Sequence, residues 1–372
     1  MFSSVKKIFS KASFNSSLEQ ALEAYEHEEY ELAISLFESL ARNITPKALY
    51  YLGTCYFWGL GTEQNQEKGL RLFIASAEQG FCLAQVELGD IYRHGTGVTA
   101  DSKTSLQWYE RAQAAGNPDA TAEVARHYEY GDGTEQCISK ALTLYAEAAE
   151  GGNAMAQYSL ACFYNQGIEV EYDPITAFYW FKRSADQGYA DAYIHVAASY
   201  ARGEGVDTDL NKAISWYAKA AEHGDAVAQN NMGYYYATGT GVVQDEDKAT
   251  FWYYHAAKQG HAIAQYNLAE RYRTGNAVEQ DIAEAAYLYE QAALQGDKDA
   301  QFRLAMCYKN GEGFSTNIDQ FVYWIEKAAR QEQQAAIEEI HRYTSADSTP
   351  PPNPEGTPVP EESIQDESFL IE

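Results

Sequence analysis

The sequence is poor in basic residues, and this shortage limits what the chain can bind. Of 372 residues, 27 are Lys or Arg against 54 Asp or Glu, which gives a net charge of −27. Binding to nucleic acid or to an anionic membrane requires a basic face, so we expect neither as a partner. No run approaches the ~20 apolar residues that cross a bilayer. The N-terminus, MFSSVKKIFSKASF, lacks the apolar centre of a secretory signal.

Cysteine is also scarce, with five residues and no CxxC pair. No group of Cys and His has the spacing of a zinc site, and the GxG turns are not followed by the GK[ST] of a phosphate-binding loop. We therefore expect reduced thiols in a cytoplasmic protein that holds no metal and no cofactor.

Tyrosine, in contrast, is abundant, with 30 residues, and it recurs with a period of 36. Glycine and alanine recur with the same period, which predicts a repeat architecture. The tyrosine series is Tyr56, Tyr92, Tyr128, Tyr164, Tyr200, Tyr236, Tyr272 and Tyr308. The first glycine series runs from Gly59 to Gly311, the second from Gly80 to Gly296, and the alanine series from Ala48 to Ala336.

Each repeat reads as two helices. In the fifth repeat, Ala192, Val196 and Tyr200 share one helical face. Gly203 follows that helix and Gly224 follows the second one, as expected where a helix ends at positive φ. One such hairpin cannot bury its own apolar face, so the hairpins must stack into an all-α solenoid.

The two ends differ from the repeats. We predict an N-terminal basic segment at 1–17, a tetratricopeptide-like helix pair at 18–46, eight repeats of 36 residues at 47–333 and a capping helix at 334–344. Residues 345–372 contain six of the nine prolines, seven acids and no Lys or Arg, which predicts a disordered acidic tail.

The repeat unit closely resembles the Sel-1-like repeat, a branch of the tetratricopeptide-repeat superfamily. Residues 227–261, VAQNNMGYYYATGTGVVQDEDKATFWYYHAAKQGH, carry nearly the whole motif, as do 83–117 and 191–225. The resemblance extends over about 47–335. It implies a right-handed α/α superhelical solenoid that serves as a protein-binding scaffold.

The sequence departs from the family pattern in some loops, where Glu169 and Ala277 replace the second glycine. Some cysteine-rich relatives have been linked to β-lactam hydrolysis and pair cysteines within each repeat. Here Cys55 and Cys307 share a column seven repeats apart, and no SxxK nucleophile motif is present. We therefore expect no enzymatic activity, and the hydrolase alternative is disfavoured.

In related tetratricopeptide scaffolds, the first helix of each hairpin lines the concave groove. Aromatic and Arg residues dominate binding hot spots, so variable positions of this kind on the first helices are our candidates for partner contact. The candidates are Tyr50, Phe57, Trp58, Tyr130, Tyr158, Arg202, Asn231, Tyr234, Tyr266, Asn267, Arg273, Phe302, Arg303 and Lys309. Two alternatives remain open. Tyr50, Tyr158 and Tyr266 could pack against the next hairpin, and Phe57 and Trp58 could close the joint with the N-terminal pair.

The last three repeats contain a basic and amide-rich patch, in which Asn231, Asn267 and Arg303 occupy one column. Amide and guanidinium groups in this arrangement could hold a carboxylate or an extended peptide backbone. Asn267 and Arg303 also match two positions of the clamp by which some tetratricopeptide domains hold a C-terminal carboxylate. The alternative is local pairing with surface acids.

The leading prediction is a monomeric, non-enzymatic adaptor that binds a protein or peptide in the groove. The acidic surface favours a basic partner. The alternatives are an immunity or regulatory protein that blocks a toxin or enzyme, and a self-assembling scaffold.

Overall fold

The computed structural model describes residues 17–40 and 45–347, which form nineteen helices and no strand. Two short helices come first, α1 at 17–26 and α2 at Tyr30–Ser39. The last helix, α19, is Gln334–Asp347. Between them, sixteen helices form eight hairpins, each with a first helix A and a second helix B.

Nearly all hairpin helices are 13 residues long, with α11 one residue shorter. The A helices are α3 Pro46–Trp58, α5 Cys82–His94, α7 Pro118–Tyr130, α9 Ala154–Gln166, α11 Asp191–Arg202, α13 Ala226–Thr238, α15 Ala262–Thr274 and α17 Lys298–Asn310. The B helices are α4 Gln66–Glu78, α6 Ser102–Ala114, α8 Ile138–Glu150, α10 Pro174–Asp186, α12 Leu210–Glu222, α14 Glu246–Lys258, α16 Ile282–Leu294 and α18 Ile318–Arg330.

The described helices fall into two compact units, α1 to α12 up to His223 and α13 to α19 from Gly224. Every A helix packs on the B helix of its own hairpin, and each A helix that follows another helix of the same unit also packs on that helix. Aromatic side chains fill the joints, with Phe73, Tyr109 and Tyr145 buried in the first unit and Tyr289 and Phe321 in the second. The prediction of an all-α solenoid of stacked helical hairpins is confirmed.

The recurring glycines end the helices as predicted. Gly59 ends α3 at φ 74° and Gly203 ends α11 at φ 74°. Glu169 and Ala277 keep the loop conformation despite their side chains, with φ 58° and 57°. A side chain at positive φ costs about 1 kcal/mol, which the surrounding loop has to sustain.

The second loop glycine has a separate role, because it lies against the hairpin before it. A Cβ atom built on Gly205 would stand 1.9 Å from the carbonyl oxygen of Pro174, at the start of α10. A Cβ on Gly133 would stand 2.5 Å from the carbonyl carbon of Ser102, at the start of α6. These glycines therefore allow close contact between successive hairpins.

Buried glutamines join the ends of successive B helices. Gln157 donates to the carbonyl of Ala149 at the end of α8 (3.0 Å), and its side-chain oxygen accepts from Gln187 at the end of α10 (2.7 Å). Gln301 makes the same pair of bonds, to Ala293 (3.1 Å) and from Gln331 (2.9 Å). Each bridge fixes the register between neighbouring hairpins with a satisfied buried amide.

The C-terminal helix is longer than predicted, since α19 reaches Asp347 instead of ending at 344. Thr349 precedes Pro350, and a residue before proline is biased away from helical angles, so a helix that ends close to this point is expected. The rest of the predicted tail and residues 1–16 of the basic segment lie outside the described residues.

Candidate functional site

All fourteen candidate residues lie on A helices, but they differ in exposure. The exposed ones are Trp58, Tyr130, Arg202 and Tyr234. The half-buried ones are Tyr50, Tyr158, Asn231, Tyr266, Asn267, Arg273, Phe302, Arg303 and Lys309.

Phe57 is the exception and needs a correction, because it is fully buried and cannot contact a partner. Its ring lies 5.5 Å from that of Phe73 on α4. Gly69 on α4 lies directly opposite, where a Cβ would stand 2.6 Å from the Cβ of Phe57. Six of the other B helices carry Ala or Ser at the position of Gly69 and α18 carries Phe321, so the missing side chain of Gly69 allows α3 and α4 to approach closely at Phe57.

The three recurring tyrosines pack against the B helix of their own hairpin. The ring of Tyr50 is 5.7 Å from Phe73, that of Tyr158 is 5.8 Å from Phe181, and that of Tyr266 is 5.9 Å from Tyr289. Burial raises the pKa of Tyr50 to about 12. These residues thus have a structural role, and their half-burial still leaves part of each side chain accessible.

Tyr130 and Tyr158 come together at an open pocket of about 420 Å³ between α7 and α9. The pocket is half enclosed, and apart from these two tyrosines its walls consist of residues that the sequence analysis did not select. Its lining comprises Arg126, Glu129, Tyr130, Tyr145, Met155, Tyr158, Ser159, Cys162, Phe163, Gln166, Ile168 and Tyr189. This combination of aromatic walls and a few polar groups is typical of a recognition pocket.

Hydrogen bonds and burial hold the pocket in shape. Tyr145 donates its hydroxyl proton to Glu129 (2.6 Å), and the rings of Tyr158 and Tyr189 lie 5.3 Å apart. Burial raises the pKa of the Cys162 thiol to about 11, although a hydrogen bond with Tyr158 opposes the rise. The thiol is therefore neutral at physiological pH.

The basic patch of the last repeats is largely paired with acids of the chain. Arg303 contacts Glu270 at 3.0 Å, Arg273 contacts it at 2.6 Å, and Tyr289 donates a short hydrogen bond to the same carboxylate. Burial acts to raise the pKa of Glu270, but hydrogen bonds from Arg273 and Tyr289 outweigh it, so the pKa lies below its usual value. These guanidinium groups already have a carboxylate, which leaves them less available for a partner's carboxylate.

Two further residues in and beside the patch, Lys309 and Asn267, are paired as well. Lys309 forms a short ion pair with Glu339 of α19. Asn267 donates to the side chain of Asn230 (3.1 Å). The structure therefore supports the alternative of local pairing. The signal that identifies it was present in the sequence, since Glu270 lies one helical turn before Arg273.

Neither a metal site nor a membrane span is found in the ranges that the structure describes. No group of His, Cys, Asp and Glu side chains among these residues could hold a metal ion. None of the described helices is long and apolar enough to cross a membrane.

Comparison with known proteins agrees with this architecture. Eight consecutive segments match the Sel1 repeat: 46–81, 82–117, 118–153, 154–189, 190–225, 226–261, 262–297 and 298–332. Comparison with curated protein sequences gives no match.

Two solved structures are similar to this chain over most of its length. A protective antigen present in uropathogenic Escherichia coli, described as displaying an SLR fold, is 28% identical, with 91% of this chain and 81% of that chain covered, at a TM-score of 0.63. A Sel1 repeat protein from Oxalobacter formigenes is 30% identical, with 86% of this chain and 93% of that chain covered, at a TM-score of 0.54.

An immunity protein from Pseudomonas aeruginosa is 23% identical, with 59% of this chain and 82% of that chain covered, at a TM-score of 0.35. That likeness is too low to support an immunity role, which stays a prediction. Sel1 repeat proteins generally mediate protein–protein interaction and are typically non-catalytic. With eight matches that extend from residue 46 to residue 332, the chain belongs to the Sel1 repeat family.

Proposed function

We propose that this chain is a non-enzymatic adaptor that binds a protein partner through the exposed side of its A helices. The observation that carries the proposal is the pocket between α7 and α9, where an exposed tyrosine, Tyr130, adjoins the half-buried Tyr158. A side chain in such a pocket can act as the anchor of an interface, because contacts that exclude water concentrate the binding energy there.

The partner is proposed to be basic and the adaptor to act as a monomer. A net charge of −27 attracts a basic partner and repels a second copy of the chain. Association should then slow as the salt concentration rises. Sedimentation that shows growing particles at higher protein concentration would contradict the monomer.

The test is site-specific photo-crosslinking in cells that make the protein. p-Benzoylphenylalanine replaces Tyr130 on α7 in one variant and Tyr179 on α10 in the control. The two tyrosines are similarly exposed, at 63% and 50%, but lie on an A helix and a B helix respectively. We expect a specific protein adduct from position 130 and none from position 179. The same adduct from both positions, or an adduct from 179 alone, would refute the use of the A helices.

A further inference from the structure

We propose that the pocket between α7 and α9 binds the cationic side chain of a partner residue, Arg or Lys. The inference rests on the proposed function and specifies the chemistry of its anchor. It follows from three features of the pocket: its aromatic walls, its carboxylates and the pairing of its single guanidinium group.

The aromatic walls come from Tyr130, Tyr158 and Tyr189, which all line the pocket. The face of an aromatic ring carries negative charge density and attracts a cation, more strongly where water is displaced. The pocket is half enclosed, and with about 420 Å³ it has room for a long side chain and part of the neighbouring backbone.

The carboxylates give the pocket a negative potential. Glu129 lies in its wall, and its charge is the largest of the influences that raise the pKa of Tyr130. Asp191, which is not part of the lining, adds to the effect of burial in raising the pKa of Tyr189, which is. A cation in the pocket would therefore be stabilised by charge as well as by the rings.

Arg126 is the one cationic side chain in the lining, and it already has a partner. Its Nε atom lies 3.3 Å from a carboxylate oxygen of Glu123, which also pairs with Arg93. The charge of Arg126 still acts on Tyr130 and Tyr189, where it lowers the pKa, but Glu129 and Asp191 influence these pKa values more strongly in the opposite sense. A net negative potential therefore remains to balance an incoming cation. An anionic ligand held by Arg126 is the competing outcome.

The experiment compares two probes of nearly equal shape, acetyl-arginine amide and acetyl-citrulline amide, of which only the first is charged. Saturation-transfer difference NMR on the full chain detects such weak ligands directly. We expect the arginine signal to exceed the citrulline signal at least threefold. Glu129→Gln should abolish that preference while its amide oxygen still accepts the proton of Tyr145. Tyr130→Ala, which removes an exposed ring, should weaken binding of the arginine probe.

The matched control is Glu110→Gln on α6, an exposed position where the same charge is removed outside the pocket. It should leave the arginine preference unchanged. Equal signals from both probes, equal effects of the two Glu→Gln changes, or stronger binding of acetyl-aspartate amide would overturn the proposal. If the arginine preference is absent but the crosslink from position 130 persists, the proposed function stands and only the cationic anchor is wrong.

Discussion

At the scale of single residues, one buried amide breaks the pattern of glutamine bridges. Gln85 donates to the carbonyl of Ala77 (3.0 Å), as the other bridging glutamines do to their own carbonyls. Its side-chain oxygen is buried without a hydrogen-bond partner. The residue that would donate to it, the first after the B helix, is Ala115 here and glutamine in the complete bridges. An unsatisfied buried acceptor of this kind lowers stability.

Ala115→Gln should supply the missing donor and stabilise the protein by about 1 kcal/mol, the usual net gain from a satisfied hydrogen bond. Ala114→Gln, one position earlier, is the control, since its side chain belongs to another part of the helix surface. Thermal and denaturant unfolding of both variants measure the difference. Equal unfolding midpoints for the two variants would show that the unpaired side-chain oxygen of Gln85 does not lower the stability of the protein.

Gly205 is required for two reasons: its φ angle is positive, and a Cβ atom at this position would collide with the backbone of the hairpin before it. Gly205→Ala must tolerate positive φ and also displace the Pro174 carbonyl, so we expect a loss of more than about 2 kcal/mol. Gly116→Ala is the matched control, because Gly116 also has positive φ (80°) but a Cβ there meets nothing within 4 Å. It should cost about 1 kcal/mol. Denaturant titration compares the two, and similar losses would show that close approach is unimportant.

At the scale of helices, five of the eight B helices begin at an aspartate that caps them. Asp209 accepts from the amide of Lys212 (3.0 Å), and Asp245 accepts from that of Lys248 (3.0 Å). Asp101 and Asp173 cap α6 and α10 in the same way. Hydrogen bonds to the Thr three residues later lower the pKa of Asp101 and Asp173, and backbone bonds to the Lys lower the pKa of Asp209 and Asp245.

This lowering predicts a loss of stability in acid. A carboxyl whose pKa is lower in the folded state stabilises the fold above its unfolded pKa of about 3.9, and the contribution disappears as the pH falls through the folded pKa. Between about pH 5 and pH 2.5, the native protein should therefore lose more stability than the quadruple variant in which all four aspartates are replaced by Asn. Asn caps equally well but does not titrate. Identical pH profiles of the unfolding midpoint would contradict the prediction.

The comparison of sequence with structure is clearest at this scale. Helix positions and ends were predictable because alanine, glycine and tyrosine recur in fixed columns. The residues of one column have the same structural role in each repeat, such as ending a helix or packing against its neighbour. The burial of Phe57 was not predictable, because it depends on contacts with Phe73 and Gly69 of another helix. The sequence predicted Tyr130 and Tyr158 as contact residues but did not predict the pocket that they line. Glu129 is not of a residue type that was selected, and Tyr189 precedes α11 and so lies outside the A helices.

At the scale of the whole molecule, packing within each unit runs from one helix to the next in the chain. In such arrays stability is a sum of repeat and neighbour terms, so a local change need not spread far. The long-range contacts that make globular folding cooperative are replaced here by a series of similar joints.

Hydrogen exchange should show this locality. In Gly205→Ala, amide exchange should accelerate in α10, α11 and α12, which surround the strained loop, and remain near the native rate in α3 and α4 of the same unit. Mass spectrometry of peptic fragments resolves these helices. Uniform acceleration throughout the first unit would indicate that the unit unfolds cooperatively as a whole.

The uniform length of the repeats has a consequence for how such a chain can change. Because successive joints within a unit are built from the same columns of Gly and aromatic residues, with Gln at some of them, a segment of 36 residues can be removed or duplicated with each new junction resembling an old one. The chain can therefore gain or lose one complete hairpin at a time, while the surface residues of each hairpin can change in sequence independently. Recognition and length are in this way separately adjustable during evolution.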